Sequence, residues 1–399
     1  MTTGHLLAPL SLPARQLIWI AYGFAAGFAL ASQRWRSPGG SRLAAALPLL
    51  VLNLLAPLLF DGDTETLANF ACAIASTFIS NMKLLGWVMG RGSLVFSRLT
   101  PAQFATVYAL PITPAAEPEE EVEESQGAAE AKQPIEGESQ AKPEVACRPL
   151  PSHLAESYST TYMLGRFLLK AVAMTWTGIM LRTTTLPRLP QLVLEVFSQY
   201  MILSIAADGL GAAASALLGI QVSTHFENPY AATSAADFWN KRWNLVVSNV
   251  LRACIYDPIM EGRLVMRPGA KIPRFSRARR MAAVFAVFVA SGLVHEALFW
   301  YQSGTHTPHL LWFWHFVFWG LIIVAENVGK RALRKARVQV PALLAGGLFQ
   351  VVLHVMLGIF WLPPLHQMGV MSKGAASIVQ GWQLLRRAAC AATAKTAAA

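Results

Sequence analysis

The sequence predicts an all-α protein: a polytopic membrane helix bundle of about eight spans with an amphipathic cytoplasmic segment. Three observations carry that prediction. Of 399 residues, 54% are hydrophobic and only 14% charged, where a soluble domain carries about a quarter charged residues. Mean hydropathy is +0.41. The apolar residues gather into long runs with the basic residues collected at their ends, as topology determinants are.

The runs fall at 17–31, 43–60, 66–90, 161–181, 189–220, 281–301, 309–329 and 340–361. In lipid a helix is the economical way to satisfy such a backbone. The run 189–220 is long enough to tilt or break. The N-terminus has no basic n-region and no small-residue cleavage site, so the first run is expected to be a retained span. Arg34, Arg36 and Arg42 lie between spans one and two, and Arg91 and Arg98 follow span three. Arg263, Arg267, Lys271, Arg274, Arg277, Arg279 and Arg280 precede span six, and Lys330, Arg331, Arg334, Lys335 and Arg337 follow span seven. Eight spans put all of these on one face, predicted to be cytoplasmic. Arg182 and Arg188 fall on the other.

The chain divides into N-terminal spans (1–112), an acidic loop (113–150), a membrane core (151–365) and a C-terminal tail (366–399). Ten of the 22 acidic residues lie between Glu117 and Glu144. That Glu-, Pro-, Ala- and Gln-rich stretch is expected to be a disordered cytoplasmic insertion. The remainder holds 31 basic and 12 acidic residues. This excess can meet anionic headgroups or a phosphorylated co-substrate. Nucleic acid is excluded as a partner because no recognition motif accompanies the charge. Cys72, Cys147, Cys254 and Cys390 are scattered without CxxC or Cys/His spacing, so neither disulfides nor a metal site is expected.

Two stretches carry chemistry. The first, Asp237-Phe238-Trp239-Asn240-Lys241-Arg242-Trp243-Asn244, lies in the cytoplasmic segment 221–262. Read as a helix over 235–255, with Ser234 as N-cap, it puts Asp237, Asn240 and Asn244 on one face and Trp239, Arg242 and Trp243 on another. The second is Ser291-Gly292-Leu293-Val294-His295-Glu296, inside span six. His295 falls about 14 residues into that span, roughly 20 Å from the cytoplasmic end. An imidazole beside a carboxylate at that depth points to function. A neutral imidazole there can take a proton from an alcohol and return it to a leaving group. Glu296 projects about 100° away from His295 on the helix, and Ser291-Gly292 allows close helix approach. Both motifs also have plain readings: a wet helix face for the first, a structural hydrogen bond for the second.

Other polar residues lie inside spans. Lys83 and Glu326 are expected to snorkel to the cytoplasmic face, Glu195 and Asp208 to pair, and His315 and His354 to act as satisfied interhelical donors. Asn81 carries no assigned role. GxSxG, Walker and GxGxxG motifs are absent, so direct transfer assisted by a base fits better than a covalent enzyme intermediate.

At these residues the chain resembles the plant-type wax ester synthases, the long-chain-alcohol O-fatty-acyltransferases of the membrane-bound O-acyltransferase superfamily. The likeness runs from Phe226-Glu227-Asn228-Pro229-Tyr230 through Asp237-Phe238-Trp239, Arg242-Trp243-Asn244, Leu251-Arg252 and Tyr256-Asp257-Pro258. It resumes at Ser291–Glu296, with a fainter echo at Asn81–Leu85 and Gly90-Arg91-Gly92. It spans roughly 15–365, excluding the acidic loop. Asn240 stands where the family usually has Gly.

The resemblance implies an endoplasmic-reticulum enzyme moving a fatty acyl group from acyl-CoA to a long-chain alcohol, with no bound cofactor. It implies His295 as catalytic base and Asn244 as its polar partner. Asp237, Phe238, Trp239, Asn240, Arg242, Trp243, Ser291 and Glu296 would line the substrate site. Sterol or diacylglycerol is the alternative acceptor. A lipid transporter or binding protein is the alternative of another class, though no internal repeat with broken helices supports it.

Overall fold

A computed structural model describes residues 9–96, 98–115, 158–266 and 276–369. The acidic residues Glu117–Glu144, residues 267–275 of the basic stretch and the tail beyond 369 lie outside the described residues.

Eight helices are long and apolar enough to cross a membrane: α1 Leu12–Ala31, α2 Gly40–Leu59, α3 Thr66–Val88, α5 Thr160–Thr183, α6 Arg188–Leu218, α8 Arg277–Ser303, α9 Pro308–Lys335 and α10 Ala342–Met368. Each matches a predicted run, and α6 is a single unbroken helix. The ends extend beyond the apolar cores, because caps and loop contacts continue the helices past the purely apolar residues. Ser276 caps α8 by accepting from Arg279 N, so the helix starts four residues before the expected 281. Arg182 and Arg188 stay exposed where α5 meets α6.

Two further helices bear on the site. α4 (Pro101–Ala109) is short, capped by a Thr100–Gln103 box, and buries Phe104, Val107 and Tyr108. It crosses α1 at Gly27, where a Cβ would lie 2.6 Å from the Ala105 backbone. Its C-terminal carbonyls are received by Lys83, whose Nζ donates to Val107 O, to Leu110 O (2.6 Å) and to Ile112 O (2.9 Å). Lys83 is therefore buried inside the bundle and does not snorkel. The orphan carbonyls of a helix end sunk in protein need donors, and the ammonium supplies three.

α7 (Leu245–Leu251) belongs to the segment expected to be one helix over 235–255. The chain instead makes a helical turn (Ala235–Asp237), a π-helical turn (Phe238–Arg242) and a break at Trp243–Asn244 before α7. Ser234 is the N-cap, as predicted, accepting from Asp237 N at 3.2 Å. Tertiary bonds overturn the single helix: Glu227 N donates to Arg242 O and Leu245 N to His225 O, both at 2.9 Å. These pull the chain away from the i−4 ladder. Asn244 takes φ 41°, a left-handed conformation that Asn tolerates better than most residues. Asp237, Asn240 and Asn244 consequently do not form one stripe.

Two other expectations are corrected. Asp208 pairs with Lys170 (2.5 Å) and Arg166 (3.3 Å) between α5 and α6, while Glu195 lies 3.3 Å from His366. Glu326 accepts from Ala236 N at 3.3 Å and pairs with Lys330, which also reaches Ser234 at 3.1 Å. The C-terminal part of α9 thus holds the 234–237 turn.

Candidate active site

α8 and α9 come together at Gly292, where a Cβ would sit 2.9 Å from Phe313 O. This close approach, expected from Ser291-Gly292, seats His295 against α9. The imidazole stacks on Phe316, with centroids 4.3 Å apart and planes 26° from parallel. Trp361 lies edge-on at 5.3 Å, Phe78 at 6.2 Å and Trp312 at 6.3 Å. Phe78 and Trp361 sit in π-helical turns, Ala73–Ser80 of α3 and Leu357–Trp361 of α10. Such turns re-aim side chains and gather at functional sites. Ala73–Ser80 holds no Pro or Gly that would flag it in the sequence, and Leu357–Trp361 holds only Gly358.

His295 Nδ1 lies 2.7 Å from Ser291 O. A carbonyl only accepts, so Nδ1 carries the proton and Nε2 presents a lone pair. Among the described residues no group donates to that lone pair. Ser291 thus contributes its backbone carbonyl. His295 stands eighteen residues after Arg277 and eight before Ser303, about 27 Å and 12 Å along the axis.

Glu296 faces the other way and is buried. Its carboxylate accepts from Thr307 N (2.8 Å), Thr307 Oγ1 (2.6 Å) and Phe313 N (3.0 Å). It knits the turn between α8 and α9 and does not touch His295.

Asn244 caps α7, its Oδ1 accepting from Val247 N at 3.5 Å, while its Nδ2 bonds no group among the described residues. Val246 and Val247 of α7 share an apolar cluster with Phe78 and with Val294, the chain neighbour of His295. The two motifs therefore meet in one packed layer, although no hydrogen bond joins Asn244 to His295.

The remaining motif residues build that layer. Phe238 stacks on Trp243 (5.2 Å, 18°), and Trp243 also meets Phe226 at 5.4 Å. Trp239 packs among Phe288, Phe316 and Trp319, so it touches the ring on which His295 stacks. Its indole Nε1–H is buried without an acceptor. Arg242 donates to Asp237 at 2.7 Å and to the carbonyls of Glu227 and Asn228, so its guanidinium is engaged in holding the fold of the segment. Asn240 is exposed.

The segment is anchored from below. Val222 bridges to Pro114, and the His225 ring lies 3.1 Å from Pro111 O. Burial pushes the His225 pKa down to about 4.

Residues 222–319 match the membrane bound O-acyl transferase family, a range that contains both motifs. The Arabidopsis thaliana protein named probable long-chain-alcohol O-fatty-acyltransferase 8 is 26% identical over 300 residues, 74% of each chain. The Simmondsia chinensis long-chain-alcohol O-fatty-acyltransferase is 32% identical over 46% of this chain and 50% of its own. The Arabidopsis thaliana acyl-CoA–sterol O-acyltransferase 1 is 32% identical over 38% of this chain, which spans 41% of that relative's length. The resemblance read from the two motifs is borne out by these similarities.

Proposed function

We propose that this chain is an acyl-CoA-dependent acyltransferase that esterifies a long-chain fatty alcohol, working in the endoplasmic-reticulum membrane without a bound cofactor. The observation that carries this reading is the tautomer of His295: Nδ1 is committed to Ser291 O, which leaves Nε2 as the basic atom among the rings of Phe78, Trp312, Phe316 and Trp361.

In this mechanism Nε2 takes the hydroxyl proton as the alcohol oxygen attacks the thioester carbonyl carbon. The C–O bond forms and the C–S bond breaks. CoA leaves as a thiolate and recovers the proton from the imidazolium, giving ester and free thiol. The unpartnered Nε1–H of Trp239 and Nδ2–H₂ of Asn244 are the donors available to the carbonyl oxygen as it gains charge. Aromatic packing around the imidazole keeps water from the thioester and so limits its hydrolysis. The basic face draws the polyanionic CoA head, and both apolar chains reach the site through the bilayer.

The similarity to a protein named as a sterol acyltransferase supports a sterol as second-ranked acceptor. The test offers labelled acyl-CoA to membranes lacking other neutral-lipid acyltransferases, with hexadecanol, sterol and diacylglycerol in competition. Label in wax ester is the expected result. Label in sterol ester keeps the mechanism and replaces the acceptor. No ester from folded protein overturns the reading.

A further inference from the structure

α10 carries a second histidine in the same chemical state as His295. His354 Nδ1 lies 2.8 Å from Gln350 O, so it bears the proton. Its Nε2 lone pair is buried with no donor. One turn earlier, Gln350 donates Nε2–H to Tyr230 O at 3.1 Å. That partner fixes the amide orientation and leaves Oε1 buried and equally unpaired. The interhelical bond expected of His354 is not made. Two dry acceptors on one helix face are unfavourable unless a donor arrives from outside the protein.

Their surroundings indicate which donor. Tyr230 packs on Phe197 and Tyr200 of α6, so Gln350 marks the seam between α6 and α10. Val351 and Val355, the next residues along α10, are 64% and 49% exposed on the outer, lipid-facing side. Further along α10, Trp361 packs on His295. The seam lies on the helix that also carries Trp361 to His295, so a donor from outside the protein would meet these acceptors on an apolar, exposed face. We propose that Gln350 and His354 are positioning residues, forming a hydroxyl-binding path that receives the O–H of the alcohol before it reaches His295. This rests on the acyltransferase reading. The amide N–H groups of the CoA pantetheine arm offer the same donor chemistry and travel with the thioester, so the two substrates are measured separately.

The test measures equilibrium binding of labelled hexadecanol and, separately, of acyl-CoA to purified protein in nanodiscs, together with KM for each substrate. Loss of one hydrogen bond should weaken alcohol binding about five- to tenfold in His354→Phe and Gln350→Met. Acyl-CoA binding should stay unchanged, and His354→Gln, which retains an acceptor, should recover most of the loss. Thermal stability should hold or rise, because an unpaired buried acceptor has been removed. Unchanged alcohol binding, or weakening confined to acyl-CoA, would overturn the proposal. Absent ester formation in the wild type is a separate result that bears on the acyltransferase reading alone.

Discussion

His295 stacks on Phe316 with ring centroids 4.3 Å apart, while its Nδ1–H is tied to Ser291 O. Stacking and the backbone bond together fix the ring plane and the tautomer, so Nε2 is directed without a carboxylate partner. The neighbouring Glu296, which invites comparison with an orienting acid, is engaged elsewhere. Replacing His295 by Asn should cut turnover by roughly 10²–10⁴ while acyl-CoA still binds. Single-turnover transfer and acyl-CoA binding, measured on matched amounts of protein, check this. A loss of binding equal to the loss of turnover would assign the ring a packing role.

Asn244 separates backbone from side-chain effects. Its φ of 41° suits Gly and strains Ala, so Asn244→Gly should keep the fold while Asn244→Ala costs about 1 kcal/mol more stability. If the free Nδ2 assists the reaction, both variants lose turnover although only one is strained. Thermal midpoints beside ester formation distinguish the cases. Full activity in Asn244→Gly would limit the residue to capping α7.

How far the sequence disclosed this site depends on which force set each piece. Span positions were legible because hydropathy alone dictates them, and Gly292 announced the α8–α9 contact because only a missing Cβ allows it. The broken course of 235–255 was hidden, since Leu245 and Arg242 are bonded to His225 and Glu227, partners that local periodicity does not reveal. Lys83 was misread for a related reason: a lysine near a span end looks like a snorkelling cation until α4 appears beside it. Trp361, Phe78 and Phe316 were invisible as a group because three separate helices bring them to one imidazole.

Both flanks of the acidic stretch dock on one short segment. Ala115 N donates to Gln221 O at 2.7 Å, and Tyr158 OH donates to Glu227. Replacing 117–144 with a short Gly-Ser linker should leave specific activity within about twofold, since closing a different loop length changes stability little. A large fall at equal expression would assign the acidic residues a part in catalysis or substrate delivery.

Lys83 supplies three bonds to carbonyls at the end of α4. Lys83→Met keeps most of the volume and strands those acceptors in the bundle. At about 1–3 kcal/mol for a buried group left unpaired, the loss should exceed 3 kcal/mol and show as a lowered thermal midpoint. An unchanged midpoint would mean that water replaces the ammonium.

His225 gives stability a pH dependence whose direction follows from its burial. The ring is held neutral by its surroundings and has a pKa of about 4 in the fold, against about 6.5 in an unfolded chain. The unfolded state therefore binds more protons between these values, and stability rises with pH across that window. Full stability is present above pH 6.5 and falls away toward pH 4, by at most about 3 kcal/mol from this residue. His225→Gln keeps a donor for Pro111 O but cannot titrate, so it should flatten the profile between pH 4 and 6.5. Thermal midpoints of both proteins across that range provide the check. Parallel profiles would assign the acid sensitivity to other groups.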